Sequence, residues 1–226
     1  MLGESTWTEV DARVVVVPVG SLEQHGPHLP LDTDAQIAAA VARLALGDDP
    51  SVVIAPPVAY GASGEHEGFA GTLSIGHDAL RAVLVELGRS AARWAPRLLL
   101  VNGHGGNLPT VAEAVAQLRS EGRDSAWFGC AFDDGDAHAG RTETSIMLAL
   151  APDLVRQDAM EAGNTGPLAG LMPALRSGGV AAVSPNGVLG DPRDASFAEG
   201  ARVLTQLTDR LRAAVAGWTP APNGHL

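Results

Sequence analysis

Four short runs of almost unbroken apolar, largely β-branched residues, at 14–19, 52–58, 98–101 and 126–132, constrain this chain more than any other feature. Strands of that kind are buried on both faces, which requires helices above and below them. The intervening segments supply those helices. Over 35–46, Ile37, Val41 and Leu44 share a face and Gly47 ends the run; over 78–94, Leu80, Leu84, Leu87, Ala91 and Trp94 recur at spacings of 4, 3, 4 and 3. Further helices are expected at 110–119, 143–150 and 201–215. Strand and helix alternate, so the expected fold class is α/β: a mainly parallel sheet flanked by helices on both sides, in a single domain over 1–226. The Gly/Pro-rich stretch 163–192 is expected to form a loop layer over one end of the sheet, being too short for a second domain.

Composition removes several functional classes. The chain carries 15 Lys+Arg against 26 Asp+Glu, a formal charge of -11, so general nucleic-acid binding and adhesion to anionic membranes are not expected. Every basic residue is Arg, which excludes the P-loop lysine and lysine Schiff-base chemistries. The lone Cys130, inside an apolar run, has no partner for an internal disulfide or a thiolate metal cage and reads as core. The polar, acidic first residues, and the lack of any apolar run near the roughly 18 residues of a membrane span, make a cytoplasmic setting the expectation.

Polar, metal-competent residues cluster just after the expected strands, and the carboxyl end of an open α/β sheet is where ligands bind. After the first strand, GSLEQHGPHLPLDTD (20–34) holds Glu23 and His25 two apart, on one side of an extended chain, with Asp34 opening the next helix. Gly26, Pro27 and Pro30 forbid a regular helix between them and allow Asp34 to fold back toward His25. After the third strand, VNGHGGN (101–107) sets His104 among glycines; after the fourth, HAGRTETS (138–145) has His138 in a loop and Glu143 at a helix start. His25 and His104 with three carboxylates, and no sulfur, suit two hydrolytic divalent metals. From the residues alone, Asp34 and Glu143 equally fit N-terminal helix positions that complement the dipole, and Glu23 fits a solvated loop. Three His-bearing, Gly-rich loops are harder to assign to packing, because a histidine in such a turn has few apolar neighbours to bury it.

GSLEQHGPHLPLDTD, NGHGGN, HAGRTETS and GVLGDP (187–192), in this order over nearly the whole chain, resemble the creatininase family of binuclear metal-dependent amidohydrolases. The resemblance implies a creatininase-like α/β fold and two divalent metal ions per chain, zinc first, with Fe(II) or Mn(II) as alternatives at one or both sites. It places Glu23 and His104 on one metal and His25 and Glu143 on the other, with Asp34 bridging, and makes His138 the proton shuttle. Creatininase itself has a glutamate ligand where this chain has Gly106, so Glu143 is expected to complete the second site and creatinine is disfavoured as substrate.

Two further segments, SGEHEGFAGTLSIG (63–76) and GVAAVSPNGVLGDP (179–192), resemble the subset of the family that trims the mycofactocin precursor peptide. That implies a peptidase acting near the C-terminus of the modified precursor to release its cyclised Val-Tyr-derived end. The family also implies a homo-oligomer, with a hexamer suggested by creatininase. A small-molecule amidohydrolase acting on a cyclic amide or a formamide is the alternative within the family; a non-catalytic metal-binding scaffold for the precursor peptide is the alternative outside it.

The implied chemistry is amide hydrolysis by an activated water, with His138 protonating the leaving nitrogen because an amide anion is too basic to depart. Ser21 and Ser145 lie near the motifs without a visible triad. His28 fits either a bond behind the ligands or a structural loop position, and Glu65 and His66 fit either the site or a solvated turn. Asp136 either holds the His138 imidazole or belongs to a wet acidic loop at 133–136. His77 reads as a helix-start residue, His225 as tail and Arg141 as surface.

Overall fold

The computed structural model describes residues 1–132 and 135–226; of the acidic loop, 133–134 lie outside the described residues. Four parallel strands, β1 (Val14–Val19), β2 (Val52–Ile54), β3 (Arg97–Asn102) and β4 (Asp124–Gly129), form one sheet in the order β2-β1-β3-β4. The α-helices among the described residues are α1 (Thr33–Leu46), α2 (Gly76–Ala91), α3 (Leu108–Ser120), α4 (Arg141–Leu150), α5 (Leu168–Gly178) and α6 (Phe197–Gly217). Alternation along the strands explains the unbroken apolar runs. Val14 and Val16 join Leu99, Val101 and Phe128 in a core with Ile37 of α1, Ile146 of α4 and Leu207 of α6. Val15 and Val17 face the other way, with Leu98, Leu100 and Trp127, onto Leu80 and Leu84 of α2 and Leu118 of α3. These six helix residues are at most 2% exposed, and each such side chain contributes about 1.5–3 kcal/mol of burial.

Several boundaries differ from the expected ones for identifiable reasons. β2 stops well short of 58 because Pro56 and Pro57 have no N–H to donate, and the ladder resumes only as a single Val19–Val58 bridge. The same gap admits Pro18 to a central strand. Val58 N–H donates to the Pro18 carbonyl at 2.9 Å, so the missing N–H of Pro18 faces the edge that β2 has already left. β4 begins at Asp124 because polar Asp124 and Ser125 pair with Arg97 and Leu98, and it ends before Cys130. Cys130 is buried as expected, and burial pushes its thiol up to about 12.

On the helices, Leu44, Leu87 and Trp94 are exposed rather than on buried faces, and α2 ends at Ala91; Gly88 packs on Leu118 in place of Leu87. α6 begins at Phe197 because Ser196 caps it, its Oγ accepting the Glu199 N–H at 3.3 Å. The stretch 163–192 is more than a loop layer, since it contains α5, which packs against the 3-10 turn Gly64–His66. Leu168, Leu171, Met172 and Leu175 of α5 recur at helical spacing, but Gly170 and Pro173 within it read as breakers, and none of its residues is fully buried. His225 is not a free tail: its ring lies 4.4 Å from the Trp127 ring, and its backbone bridges to β4. Among the described residues no helix is long and apolar enough to cross a membrane.

Candidate metal centre

The chain passes from β1 to β2 on one side and returns through α2 to β3 on the other, so strand order reverses between β1 and β3. Connections diverge at such a point and leave a crevice beyond the strand ends. The loops after β1, β3 and β4 meet there. The first turn of α1 rests directly on the strand ends, so close that a Cβ at Gly103 would overlap the Asp34 carbonyl. Asp34, second residue of α1, is held between two imidazoles: Oδ1 lies 3.2 Å from His25 Nε2 and Oδ2 3.3 Å from His104 Nδ1. Glu23 Oε1 lies 3.2 Å from His104 Nδ1 and 3.3 Å from His66 Nε2, while Glu23 Oε2 accepts from Ser63 Oγ at 2.5 Å. Glu143, third residue of α4, brings Oε2 to 4.0 Å from His25 Nε2 and accepts the Ala139 N–H at 2.6 Å. His138 Nδ1 is 3.8 Å from Glu23 Oε1.

Glu23, His25, Asp34, His104, Glu143 and His138 therefore share one cluster. Asp34 and Glu143 occupy helix-start positions and face the cluster at once, so the two readings of each are compatible. The solvated reading of Glu23 is wrong, as its side chain is 0% exposed. His66 is buried in the same cluster and half-buried Glu65 brings Oε1 to 3.5 Å from His104 Nε2, so neither belongs to a merely solvated turn. A Cβ at Gly106 would overlap His104 Nε2 and crowd Glu65 Oε1; the Glu65 carboxylate thus adjoins the position where creatininase carries a glutamate.

The remaining candidates fall outside the cluster. His28 Nε2 meets Thr144 Oγ1 at 2.8 Å and braces α4 behind Glu143. Asp136 does not hold His138; its carboxylate accepts the main-chain N–H groups of Thr142, at 2.9 Å, and Arg141, closing the start of α4. What holds His138 is main chain, through a bridge to Leu189 of the GVLGDP segment. His77 sits in the first turn of α2, its Nδ1 2.7 Å from Thr110 Oγ1. Arg141 is exposed and pairs with Glu199 at 3.2 Å. Ser21 contacts Ser63, and Ser145 Oγ accepts the Ser196 N–H at 3.0 Å, so neither enters a triad. Gln24, between Glu23 and His25, was not singled out from the sequence, although its place inside the motif was the available signal.

The protonation pattern follows from close packing of opposite charges. Burial and the Asp34 charge push the Glu23 carboxyl up, but the charge on His104 weighs chiefly against them and it is held at about 2. Asp34 is held low against burial by His25 and His104. Burial opposes a proton on His25, yet Asp34, Glu143 and Glu23 raise it to about 10; His104 is raised against the same burial by Glu23 and Asp34. Glu143 is pushed up to about 7, chiefly by burial. His138 is held well below the usual histidine range, chiefly by burial and then by the charge on His25.

The donor set fits a divalent cation. Glu23 Oε1 and Asp34 Oδ2 are buried with no hydrogen-bond partner among the described residues, and both face the same nitrogen, His104 Nδ1. Two orphaned carboxylate oxygens beside an imidazole, without sulfur, are the environment such an ion satisfies. His25, His138 and Glu143 converge as a second group, and Glu23, His66 and His138 as a third.

A buried His/carboxylate cluster at the switch point of a parallel sheet has the donor chemistry of a metal-dependent hydrolase of α/β class. The family profile described as creatininase, creatinine amidohydrolase, matches residues 3–215, and the chain belongs to the creatininase family. It is 56% identical over 232 residues to the mycofactocin precursor peptide peptidase of Mycolicibacterium smegmatis, and 54% over 235 residues to the protein of that name in Mycobacterium ulcerans. Each match covers 100% of this chain and 94% of the relative. Among solved structures, a manganese creatininase superposes with a TM-score of 0.78 at 27% identity, covering 97% of this chain and 98% of that one. The α/β expectation and the family resemblance are both borne out.

Proposed function

We propose that this chain is a metal-dependent peptidase that hydrolyses an amide bond near the C-terminus of the modified mycofactocin precursor peptide and releases the cyclised Val-Tyr-derived end. The observation that carries the reading is 56% identity across the whole chain to a peptidase named for that precursor. In this reading Glu23 and His104 hold one divalent ion, His25 and Glu143 the other, and Asp34 bridges them, in keeping with its two oxygens facing the two imidazoles separately. The ions, zinc first and Fe(II) or Mn(II) as alternatives, supply an activated water and polarise the amide carbonyl.

The chain's own groups do the rest. His138 Nε2 lies 2.8 Å from the Gln24 carbonyl, which can only accept, so Nε2 carries the hydrogen and Nδ1 is the nitrogen free toward the cluster. His138 is neutral at rest, so Nδ1 takes the proton of the attacking water and delivers it to the leaving nitrogen. Burial of the cluster excludes bulk water, and discrimination among amides falls to the surrounding pocket. A homo-oligomer, a hexamer on the family precedent, is part of this reading, supported by strongly exposed Trp7 and Phe197. A cytoplasmic setting agrees with the lone buried Cys130.

The test is mass spectrometry of zinc-loaded protein with modified precursor, unmodified precursor and creatinine. The expected outcome is cleavage of modified precursor near its C-terminus, abolished by chelator and by His138→Asn with ions retained. Rapid creatinine turnover with untouched precursor would overturn the substrate, and tight precursor binding without cleavage would favour the scaffold.

A further inference from the structure

Gln24 stands between two proposed ligands, yet its side chain turns to a different task. Its amide oxygen accepts the Gly26 N–H at 2.8 Å; a main-chain N–H can only donate, so this atom is the oxygen and its twin the nitrogen. The amide nitrogen lies 3.0 Å from the Gly187 carbonyl, an obligate acceptor, and 2.9 Å from His66 Nδ1. Both amide hydrogens are therefore assigned, and the second requires a bare Nδ1 on His66. Neutral His66 then carries its hydrogen on Nε2, the nitrogen 3.3 Å from Glu23 Oε1. The 3.0 Å approach of the same amide nitrogen to His138 Nε2 is a contact rather than a bond, since His138 donates to the Gln24 carbonyl.

From this chain of obligate donors and acceptors we infer that Gln24 is a positioning residue that sets the tautomer of His66, so that His66 presents an N–H to the site and is not a metal ligand. His138 carries the same tautomer but is turned the other way, offering bare Nδ1. Two adjacent histidines, with ring centroids 4.4 Å apart, thus bring one hydrogen-bearing and one bare nitrogen to 3.3 and 3.8 Å from Glu23 Oε1, neither bonded to it. A fixed donor and a fixed acceptor side by side are what a site needs to orient an amide while moving a proton at one point only. The arrangement also gives the segment 179–192 a task. Gly187 has φ +81°, and a Cβ there would overlap the Gln24 amide, so glycine is required for its carbonyl to hold Gln24. The use of the donor in hydrolysis rests on the proposed function; the tautomer assignment does not.

The test is long-range 1H–15N correlation on zinc-loaded protein with 15N-labelled histidine, which distinguishes Nδ1–H, Nε2–H and metal-bound imidazole nitrogens without any substrate. Wild-type His66 is expected as Nε2–H with both nitrogens free of zinc. In Gln24→Glu the amide donor becomes an acceptor of equal size, so His66 Nδ1 is expected to gain a hydrogen while His138, bound to main chain, keeps its pattern. Zinc content is expected to stay unchanged, and cleavage to fall about 100-fold or more, the usual effect of losing one oriented hydrogen-bond donor at a reacting amide. A wild-type His66 protonated on Nδ1, or bound to zinc, would overturn the inference even if the variant failed to fold; so would a folded Gln24→Glu whose His66 signals do not move. Failure to cleave the precursor would leave these signals untouched and would count against the proposed function alone.

Discussion

Asp34→Asn removes one negative charge and almost no volume from the point where Asp34 Oδ1 and Oδ2 lie 3.2 and 3.3 Å from His25 and His104. At an effective dielectric constant of about 20, a unit charge pair at that separation is worth about 5 kcal/mol. Divalent ions held by the same nitrogens would feel at least that loss. In equilibrium terms it is about three to four powers of ten per ion. The protons on His25 and His104 lose the same neighbour, which relieves their competition and returns part of the deficit. The expected net weakening is therefore about a hundredfold to ten-thousandfold, and at both sites, because one carboxylate serves both imidazoles. The assay is chelator competition followed by elemental analysis, on folded protein verified by circular dichroism. Two ions per chain held with wild-type affinity would refute the bridging role, and loss of one ion with the other unaffected would restrict Asp34 to a single site.

Glu143→Gln is expected to weaken the site built on His25 while sparing the one built on Glu23 and His104; equal loss at both would show that Glu143 does not replace the missing carboxylate at Gly106. Metal loading at pH 8 is expected to release about two protons per chain from the imidazoles, because His25, raised to about 10, and His104, also raised, are both protonated there and must lose a proton to bind; calorimetry in buffers of different ionisation enthalpy reads this, and net proton uptake would contradict it. The same shift carries a stability sign in chelator: the contribution of His25 is full below 6.5 and is lost as pH rises through about 10, so the unfolding midpoint should fall over that window. Ser196→Ala is expected to cost about 1 kcal/mol of stability without changing metal content, since Ser196 Oγ caps α6 away from the cluster; an altered metal content would show that α6 and the centre are coupled.

Most of the layer architecture was legible because it is written in local periods. Strands buried on both faces need unbroken apolar runs, and helices facing a sheet need a stripe, so β1, β3, α1 and α2 stand out in sequence. The element that escaped, α5, carries Leu168, Leu171, Met172 and Leu175 at helical spacing, but Gly170 and Pro173 inside it read as loop residues. That the loops carrying Glu23, His25, Asp34, His104, His138 and Glu143 would meet was legible because strand-end loops in a parallel sheet converge by topology, whatever their separation along the chain; the roles proposed for these residues came from the family resemblance, since residue type alone left Glu23, Asp34 and Glu143 open to other readings. Departures came where a local breaker acted, as Pro56 and Pro57 did in cutting β2 short.

The amino-acid sequence by itself determined the fold class, the family and which loops carry chemistry, because periodicity and residue type are properties of short stretches. Only the tertiary structure decided which other side chains join them. His66 reaches Gln24 across 42 residues, Gly187 reaches it across 163, and Asp136 turns to cap α4 instead of holding His138 two residues away. The physical reason is that hydrogen-bond partners in a buried cluster are chosen by which donors and acceptors must be satisfied once packing has brought them together.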